Sequence, residues 1–136
     1  MHGEANQPGD QRETEGSPTA IVDRYTEELY HQRNLSAIET LVAEPMVRHE
    51  SDGQRLVLTR AQCAERIAAF HDQFRSMRFH TRQTVDDGVH VASAYEADLV
   101  DHEGNVHTMC GLEMFKVVEG MISEVWNPPA GNGSWG

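Results

Sequence analysis

The second half of the chain alternates between apolar and polar residues, and this pattern constrains the fold more than any other feature. Segments 77–85, 89–100, 106–118 and 121–127 alternate with a period of two, which predicts β-strands. The turns between them, DDG, DHEGN and EG, are short and rich in glycine and acidic residues. Because short turns join antiparallel neighbours, the pattern predicts a four-strand antiparallel meander.

The first half has helical periodicity instead. A first helix begins at Ser17, a second lies between Asn34 and Pro45, and a third begins at Thr59, where Gln62 completes a capping box. One short strand, MVRHE, separates the second helix from the third. The order of elements predicts an α+β domain in which a curved, cone-shaped antiparallel sheet wraps on three N-terminal helices. The mouth of such a cone is a natural ligand site.

The 136 residues are enough for one domain with a core. Residues 1–16 are polar and acidic, which predicts a disordered tail. Residues 17–130 form the single domain, and we expect residues 131–136 to be a loose C-terminal tail.

Charge and composition exclude several classes of partner. The net charge of −11 argues against nucleic acid and anionic membranes. No run approaches the roughly 18 apolar residues of a membrane span, and the N-terminus lacks the apolar core of a secretory signal. Cys63 and Cys110 lie far apart without a CxxC motif, which favours reduced thiols in a cytoplasmic protein. The histidines lack metal-ligand spacing and no phosphate-cradling glycine loop occurs, so we predict no metal and no cofactor.

The early strand MVRHE carries the first candidate site residue. Its period of two places Met46, Arg48 and Glu50 on one face, and Val47 and His49 on the other. Because Val47 is apolar, we expect His49 to point inwards with it, while Glu50 faces solvent and pairs with Arg48 or a neighbour. His49 is then a candidate general base, since histidine titrates near neutral pH. The alternative is a buried histidine that hydrogen-bonds a backbone group.

Glu113 is the second candidate, because strand 106–118 is mostly apolar on both faces and is therefore covered on both sides. A carboxylate in such a strand costs several kcal/mol unless it is paired or protonated. We therefore expect a perturbed pKa, which is typical of a functional site. The alternative is an ion pair between Glu113 and a helix-borne arginine such as Arg24 or Arg66.

Further residues are candidates for the cavity wall. Tyr25 lies on the apolar stripe of the first helix, where it either packs in the core or presents its hydroxyl to the cavity. Tyr95 either lines the cavity or lies in a dimer interface, and Tyr30 is not expected to face the cavity. The predicted substrate-binding residues are Phe70, Phe74, Tyr95, His107, Met109, Phe115, Trp126 and Asn127.

The outer face of the meander is also apolar. It is expected to expose Thr108, Cys110, Leu112 and Met114, with Val89 and Val91 nearby. A patch of this size on a monomer indicates an interface. We therefore predict a homodimer in which two sheets pair through their outer faces.

The segments IVDRYTEEL, MVRHE and GLEMFKVVEGMISEVWN resemble the nuclear transport factor 2-like superfamily. Within it, residues 18–128 are most similar to the SnoaL-like polyketide cyclase and ketosteroid isomerase branch. The strongest signature is F-x-x-x-x-G-x-I-x-E-x-W, which runs from Phe115 to Trp126. The resemblance implies the cone fold and a homodimer, but this fold hosts many reactions as well as binding modules.

The resemblance also implies roles for three residues. Tyr25 matches the oxyanion-stabilising tyrosine of the isomerase, and Glu113 matches its protonated carboxylic acid. His49 occupies the position of the catalytic carboxylate base, and it resembles a histidine often seen in SnoaL-like cyclases. Those cyclases use a late-strand aspartate as acid and base, whereas this chain has Trp126 and Asn127 there.

Three hypotheses follow. The first is an enzyme, acting by general acid–base catalysis on a small hydrophobic carbonyl or epoxide compound as an isomerase, cyclase, dehydratase or hydrolase. The second is a non-catalytic small-molecule-binding or dimerisation module of the same fold. The third is a role in binding a protein partner, as in nuclear transport.

Overall fold

The computed structural model describes residues 16–136, so the predicted disordered tail lies almost wholly outside the described residues. Helix α1 (Pro18–Arg24) continues as a π-helix (Tyr25–His31), a 3₁₀ turn (Leu35–Ala37) leads into α2 (Ile38–Leu41), and α3 spans Arg60–Asp72. The strands are β1 (Val42–His49), β2 (Arg55–Leu58), β3 (Ser76–Asp86), β4 (His90–Val100), β5 (Val106–Val118), β6 (Met121–Trp126) and β7 (Gly131–Asn132).

The strands form one curved, unclosed sheet in the order β2-β1-β6-β5-β4-β3, with β7 paired to β5. Strands β3 to β6 make the predicted antiparallel meander. Strand β1 joins the sheet through a parallel pairing with β6, so the sheet as a whole is mixed. The predicted α+β architecture of helices against a curved sheet is confirmed.

Two predicted helix starts are confirmed by their caps. The Ala20 amide donates to Ser17 Oγ at 3.2 Å at the start of α1. At α3, the Gln62 amide donates to Thr59 Oγ1 at 3.1 Å and the Thr59 amide donates to Gln62 Oε1 at 2.9 Å. These side chains satisfy amides that have no partner within the helix.

The second helix is shorter than predicted. It ends at Leu41, and Pro45 lies inside strand β1 rather than at the end of a helix. Val42 pairs with Ile122 of β6, and its carbonyl accepts a hydrogen bond of 2.8 Å from Arg60 Nε. The β1–β6 register shifts between Val42 and Val47, and proline is tolerated in a strand at such an irregularity.

Two strands were not predicted. Strand β2 pairs antiparallel with β1 and places Leu58 opposite Met46. Strand β7 lies in the segment 131–136 that was expected to be loose, and it pairs with Met109 and Cys110 of β5. Beyond it, the Trp135 indole donates to the Tyr95 carbonyl at 2.9 Å. Contacts with distant strands therefore order the segment.

The core lies between the helices and the inner face of the sheet. Its largest fully buried side chains include Leu29, Leu41, Phe115, Ile122 and Val125. A smaller cluster of Met77, Ala97 and Leu99 closes the other end of the inner face. Between the two clusters the inner face is open, and this gap is the candidate site.

Candidate active-site cavity

A cavity of about 820 Å³ lies between the helices and the inner face of the sheet. One side is apolar and aromatic, and the other carries polar and charged groups. The apolar lining includes Tyr30, Phe70, Phe79, Leu99 and Met109, and the polar lining includes Tyr25, Arg48, Glu50, Glu113 and Asn127. This mixture of a mostly apolar wall with a few convergent polar groups is typical of small-molecule sites.

Glu113 projects from β5 into this cavity. Burial raises the pKa of its carboxyl from 4.5 to about 7, and the positive charge of Arg48 partly opposes that rise. Within residues 16–136 the carboxyl has no hydrogen-bond or ion-pair partner, although Arg24 pairs with Glu28 at 2.9 Å and Arg66 lies 3.8 Å from Glu50. The alternative of an ion pair between Glu113 and Arg24 or Arg66 is therefore not formed.

Two tyrosine hydroxyls meet beside Glu113. Tyr25 and Tyr30 are five residues apart, and the π-helix that contains both brings their hydroxyl oxygens to 3.5 Å. Residues five apart share a face of a π-helix, whereas they diverge on an α-helix. Tyr30 therefore lines the cavity, contrary to expectation. Burial raises the pKa of both phenols, so they remain neutral hydrogen-bond donors at physiological pH.

His49 does not reach the cavity, so its predicted inward orientation is wrong. Its Nε2 lies 2.7 Å from the Glu124 carboxylate, and its ring stacks on Trp126 with centroids 4.8 Å apart. The parallel β1–β6 pairing sets this face, because it places His49 beside Trp126 on the side of the sheet away from the helices. Near His49 the buried apolar residue of this strand is Met46 rather than Val47.

Arg48 takes the inward position, which was not predicted from the sequence. Its side chain is 14% exposed, and its Nε is buried without a hydrogen-bond partner among the described residues. The nearest carboxylate is Glu50 at 4.0 Å, which lines the cavity instead of facing solvent. The alternation of Leu56 and Leu58 could have indicated this face, because Leu56 pairs with Arg48 in the register.

Of the predicted site residues, six line the cavity and five do not. The lining residues are Tyr25, Phe70, Tyr95, Met109, Glu113 and Asn127. His49, Phe74, His107, Phe115 and Trp126 lie elsewhere. The cavity wall therefore brings these six together, while their roles in binding or catalysis stay predictions.

Each remaining exception has a structural reason. Phe115 is 1% exposed within the core, where it packs against Tyr25. His107 lies near the end of β5, where its Nε2 is 2.9 Å from Asp101 in the preceding turn. Phe74 follows the end of α3 and packs against Phe70 outside the cavity wall.

Tyr95 owes its position in the wall to a glycine on the neighbouring strand. It pairs with Gly111 across β4 and β5. A Cβ atom at position 111 would lie 2.7 Å from the Tyr95 hydroxyl, which is closer than real contacts allow. Gly111 therefore lets the Tyr95 ring lie across β5. Burial, followed by the nearby Glu113, raises the pKa of Tyr95 to about 12.

Two further observations concern the capacity of the described residues to bind a metal ion and to span a membrane. Within residues 16–136, no group of three His, Cys, Asp or Glu side chains could hold a metal ion. None of the helices in that range is long and apolar enough to cross a membrane.

Sequence comparison identifies the family. The model of the SnoaL-like domain matches residues 22–125, which is most of the chain and contains nearly all of the cavity wall. The chain belongs to the SnoaL-like domain family. The resemblance inferred from its sequence signature is thus confirmed, and with it membership of the nuclear transport factor 2-like superfamily. No protein of curated function matches this SnoaL-like chain significantly.

Solved structures with the same fold belong to several reaction classes. A SnoaL-like polyketide cyclase from Agrobacterium tumefaciens is 15% identical with a TM-score of 0.68, covering 85% of this chain and 90% of its own. An LEH-like epoxide hydrolase of M. tuberculosis is 13% identical with a TM-score of 0.68, covering 85% and 82%. A candidate ketosteroid isomerase from Kribbella flavida is 20% identical with a TM-score of 0.62, covering 80% and 74%. At these identities the likeness establishes the SnoaL-like fold and no particular reaction.

Proposed function

We propose that this SnoaL-like protein is an enzyme that acts by general acid–base catalysis on a small hydrophobic carbonyl or epoxide compound bound in the cavity. The observation that carries the proposal is Glu113, a half-buried residue whose carboxyl has no hydrogen-bond or ion-pair partner within residues 16–136 and whose pKa is raised to about 7. Such a group is populated in both protonation states at neutral pH, which suits proton transfer in either direction.

In the proposed reaction, the ionised Glu113 removes a proton from the substrate or, in a hydrolysis, from the attacking water, and the protonated carboxyl then returns that proton to the product. The hydroxyls of Tyr25 and Tyr30 donate hydrogen bonds to the oxygen that gains negative charge, because burial keeps both phenols protonated. Isomerisation, cyclisation, dehydration and hydrolysis all need these two functions. The aromatic wall formed by Phe70, Tyr95 and their neighbours would hold an apolar substrate.

His49 has no part in this proposal. Its imidazole is held by Glu124 and Trp126 on the opposite face of the sheet, so it cannot reach a substrate in the cavity without a rearrangement of β1. The base predicted at that strand is replaced by Glu113 itself, which would both accept and donate the proton.

A second candidate function is a non-catalytic small-molecule-binding module. It is favoured by the loss of His49 from the cavity, because the wall then offers Glu113 without a separate base on β1. A binding module needs the cavity and its polar groups, but it has no requirement for a carboxyl that titrates near neutral pH. The two functions therefore differ in what Glu113 must do.

The test compares turnover of Glu113→Gln and His49→Ala on a panel of unsaturated ketones and epoxides with an apolar ring body. We expect Glu113→Gln to lose about 100-fold or more in kcat/KM, the usual contribution of a general acid or base. His49→Ala should retain turnover, because its ring lies outside the cavity. Full turnover by Glu113→Gln would overturn the enzymatic proposal, and binding of the same compounds without turnover would support the binding module.

We also propose that the protein forms a homodimer through the outer face of its sheet, and that it is cytoplasmic. Support for the dimer is an apolar surface pocket formed by Val85, Ala92, Ala94, Leu112, Met114, Trp126 and Pro128. Val91, which was predicted near this face, is instead buried in the core opposite Phe115. Support for the cytoplasm is that Cys63 and Cys110 are unpaired.

A further inference from the structure

Two buried polar atoms of the cavity wall lack partners among the described residues. Arg48 Nε is a hydrogen-bond donor without an acceptor, and Asn127 Oδ1 is an acceptor without a donor. Leaving a buried polar group without a hydrogen bond is unfavourable, and more so when the group is charged. Both residues line the cavity, and the guanidinium of Arg48, whose side chain is 14% exposed, donates no hydrogen bond within residues 16–136, so a molecule bound in the cavity can accept hydrogen bonds from its exposed part.

The strand register places these two groups together. Arg48 pairs with Val125 and His49 pairs with Trp126 across β1 and β6. Asn127 is the first residue after β6, so it lies beside the end of β1. The backbone amide of Asn127 also donates to the His49 carbonyl at 3.5 Å, which holds the two strands together at this point. Arg48 and Asn127 thus belong to the same polar part of the cavity wall.

The carboxylates near Arg48 do not neutralise it. Glu50 is 4.0 Å from Arg48 Nε, beyond hydrogen-bond distance, and it also lies 3.8 Å from Arg66. Glu113 forms no ion pair with Arg48 within residues 16–136, although it is close enough for the guanidinium charge to act on it. A guanidinium with one weakly shared carboxylate has capacity for a further anion.

The aromatic part of the cavity wall has a different chemistry. It is lined by Tyr30, Phe70, Phe79 and Met109, and the aromatic rings among these four contact one another edge-on or at a tilt. These side chains suit a flat apolar ring system rather than a charged group. A ligand that matches both the charged part and the aromatic part of the wall is therefore amphipathic.

We propose that the cavity recognises a ring compound with a carboxylate, and that this carboxylate accepts hydrogen bonds from the Arg48 guanidinium. The planar guanidinium matches a planar carboxylate. Arg48, Arg66 and Glu50 line this part of the cavity together, and Glu50 lies within 4.0 Å of both arginines. The remaining positive charge suits a singly charged group better than a phosphate, whose greater charge would meet the Glu50 carboxylate. This inference rests on the proposed function for its site, and it narrows the substrate from a neutral apolar compound to an apolar acid.

The experiment measures binding of naphthoic acid and of naphthamide to the full chain by calorimetry at neutral pH. The two probes share a ring system and differ in charge, and neither has a group that can react in the site. Hydrogen bonds to a charged group are worth about 1.5–3 kcal/mol, so we expect the acid to bind at least about tenfold more tightly than the amide. Equal affinities, or no binding of the acid at millimolar concentration, would overturn the proposal, and this comparison needs only the unaltered chain.

Variants of Arg48 test whether this residue causes the preference for the acid over the amide. Arg48→Met keeps the apolar stem and removes the charge, so the acid should bind no better than the amide. Arg55→Met is the matched control, because Arg55 is exposed on β2 outside the cavity and should leave the preference unchanged. Arg48→Lys keeps the charge without the planar fork, so it serves if the Met variant does not fold, and an intermediate preference is expected. An acid preference that survives in Arg48→Met would overturn the role of Arg48.

This experiment and the turnover test can fail independently. If Glu113→Gln abolishes turnover while both probes bind equally, the acid–base function stands and the carboxylate inference falls. If the acid is preferred through Arg48 but Glu113→Gln turns over normally, the cavity binds acids and the proposed catalytic role falls.

Discussion

At the scale of single residues, Glu113 links the site to the stability of the fold. Its pKa is 4.5 in the unfolded chain and about 7 in the folded one, because burial disfavours the charged form. The unfolded state therefore releases its proton at lower pH, so stability is lost as pH rises from about 4.5 to about 7. Above that range the loss is complete, and it amounts to up to about 3 kcal/mol.

Glu113→Gln should therefore stabilise the protein at alkaline pH and change it little at acidic pH. Urea unfolding at pH 8 and at pH 4 measures the difference, with a gain of up to about 3 kcal/mol expected at pH 8. Glu65→Gln on the exposed face of α3 is the control, and its effect on the free energy of unfolding should be the same at pH 8 and at pH 4. If the Glu113 variant showed the same change at both pH values, the carboxyl would not be perturbed by burial.

At the scale of elements, adjacent strands shape the cavity through one close contact. Gly111 on β5 gives the Tyr95 ring of β4 the room it needs, because a Cβ atom at 111 would lie 2.7 Å from the Tyr95 hydroxyl. The same sheet contains Gly131 on β7, where an added Cβ would meet nothing within 4 Å. These two glycines therefore form a matched pair for testing the wall.

Gly111→Ala should displace the Tyr95 ring and destabilise the fold by about 1–3 kcal/mol, which is typical of overpacking. Gly131→Ala should have little effect. Thermal unfolding of both variants measures the cost, and a crystal structure of Gly111→Ala would show the ring position. Equal stability of the two variants would mean that Tyr95 does not rest on Gly111.

The π-helix is the element that changes the site most. A regular α-helix would place Tyr25 and Tyr30 on different faces, because five residues turn such a helix well past one full revolution. The π-helical segment instead aligns the two rings, whose centroids are 5.6 Å apart. Single-turn π segments are frequent at functional sites, and this one supplies the second hydroxyl of the cavity.

At the scale of the whole molecule, the outer face of the sheet leads to a prediction about assembly. Leu112 is 55% exposed in the centre of the apolar outer face, and Val57 is 52% exposed on the edge strand β2. If two copies pair through the outer face, a charge at Leu112 is buried in the interface without a partner, whereas one at Val57 meets solvent.

We therefore expect Leu112→Asp to convert a dimer into a monomer, and Val57→Asp to leave the dimer intact. Sedimentation velocity measures both, with circular dichroism to confirm that each variant folds. A wild-type chain that sediments as a monomer would contradict the proposed dimer. A dimer that persists in Leu112→Asp would place the interface on another surface.

Much of this protein follows from its sequence alone. The helix starts at Ser17 and Thr59 and the meander of β3 to β6 depend on local chemistry, since caps, turns and alternation act between residues close in the chain. The burial of Glu113 could be predicted for the same reason, because strand β5 is apolar around it. The signature that ends at Trp126 identified the family.

Only the tertiary structure decided which side chains meet in the cavity. The parallel pairing of β1 with β6 turns Arg48 inwards and His49 outwards, and it joins residues about 75 positions apart in the chain. The strand β7 likewise forms only by pairing with the distant strand β5, and the π-helix that aligns Tyr30 packs against β3 and α3. A sequence period of two shows that a strand has two faces, but the neighbouring strand determines which face is buried. For β1 that neighbour is β6, the last strand of the meander.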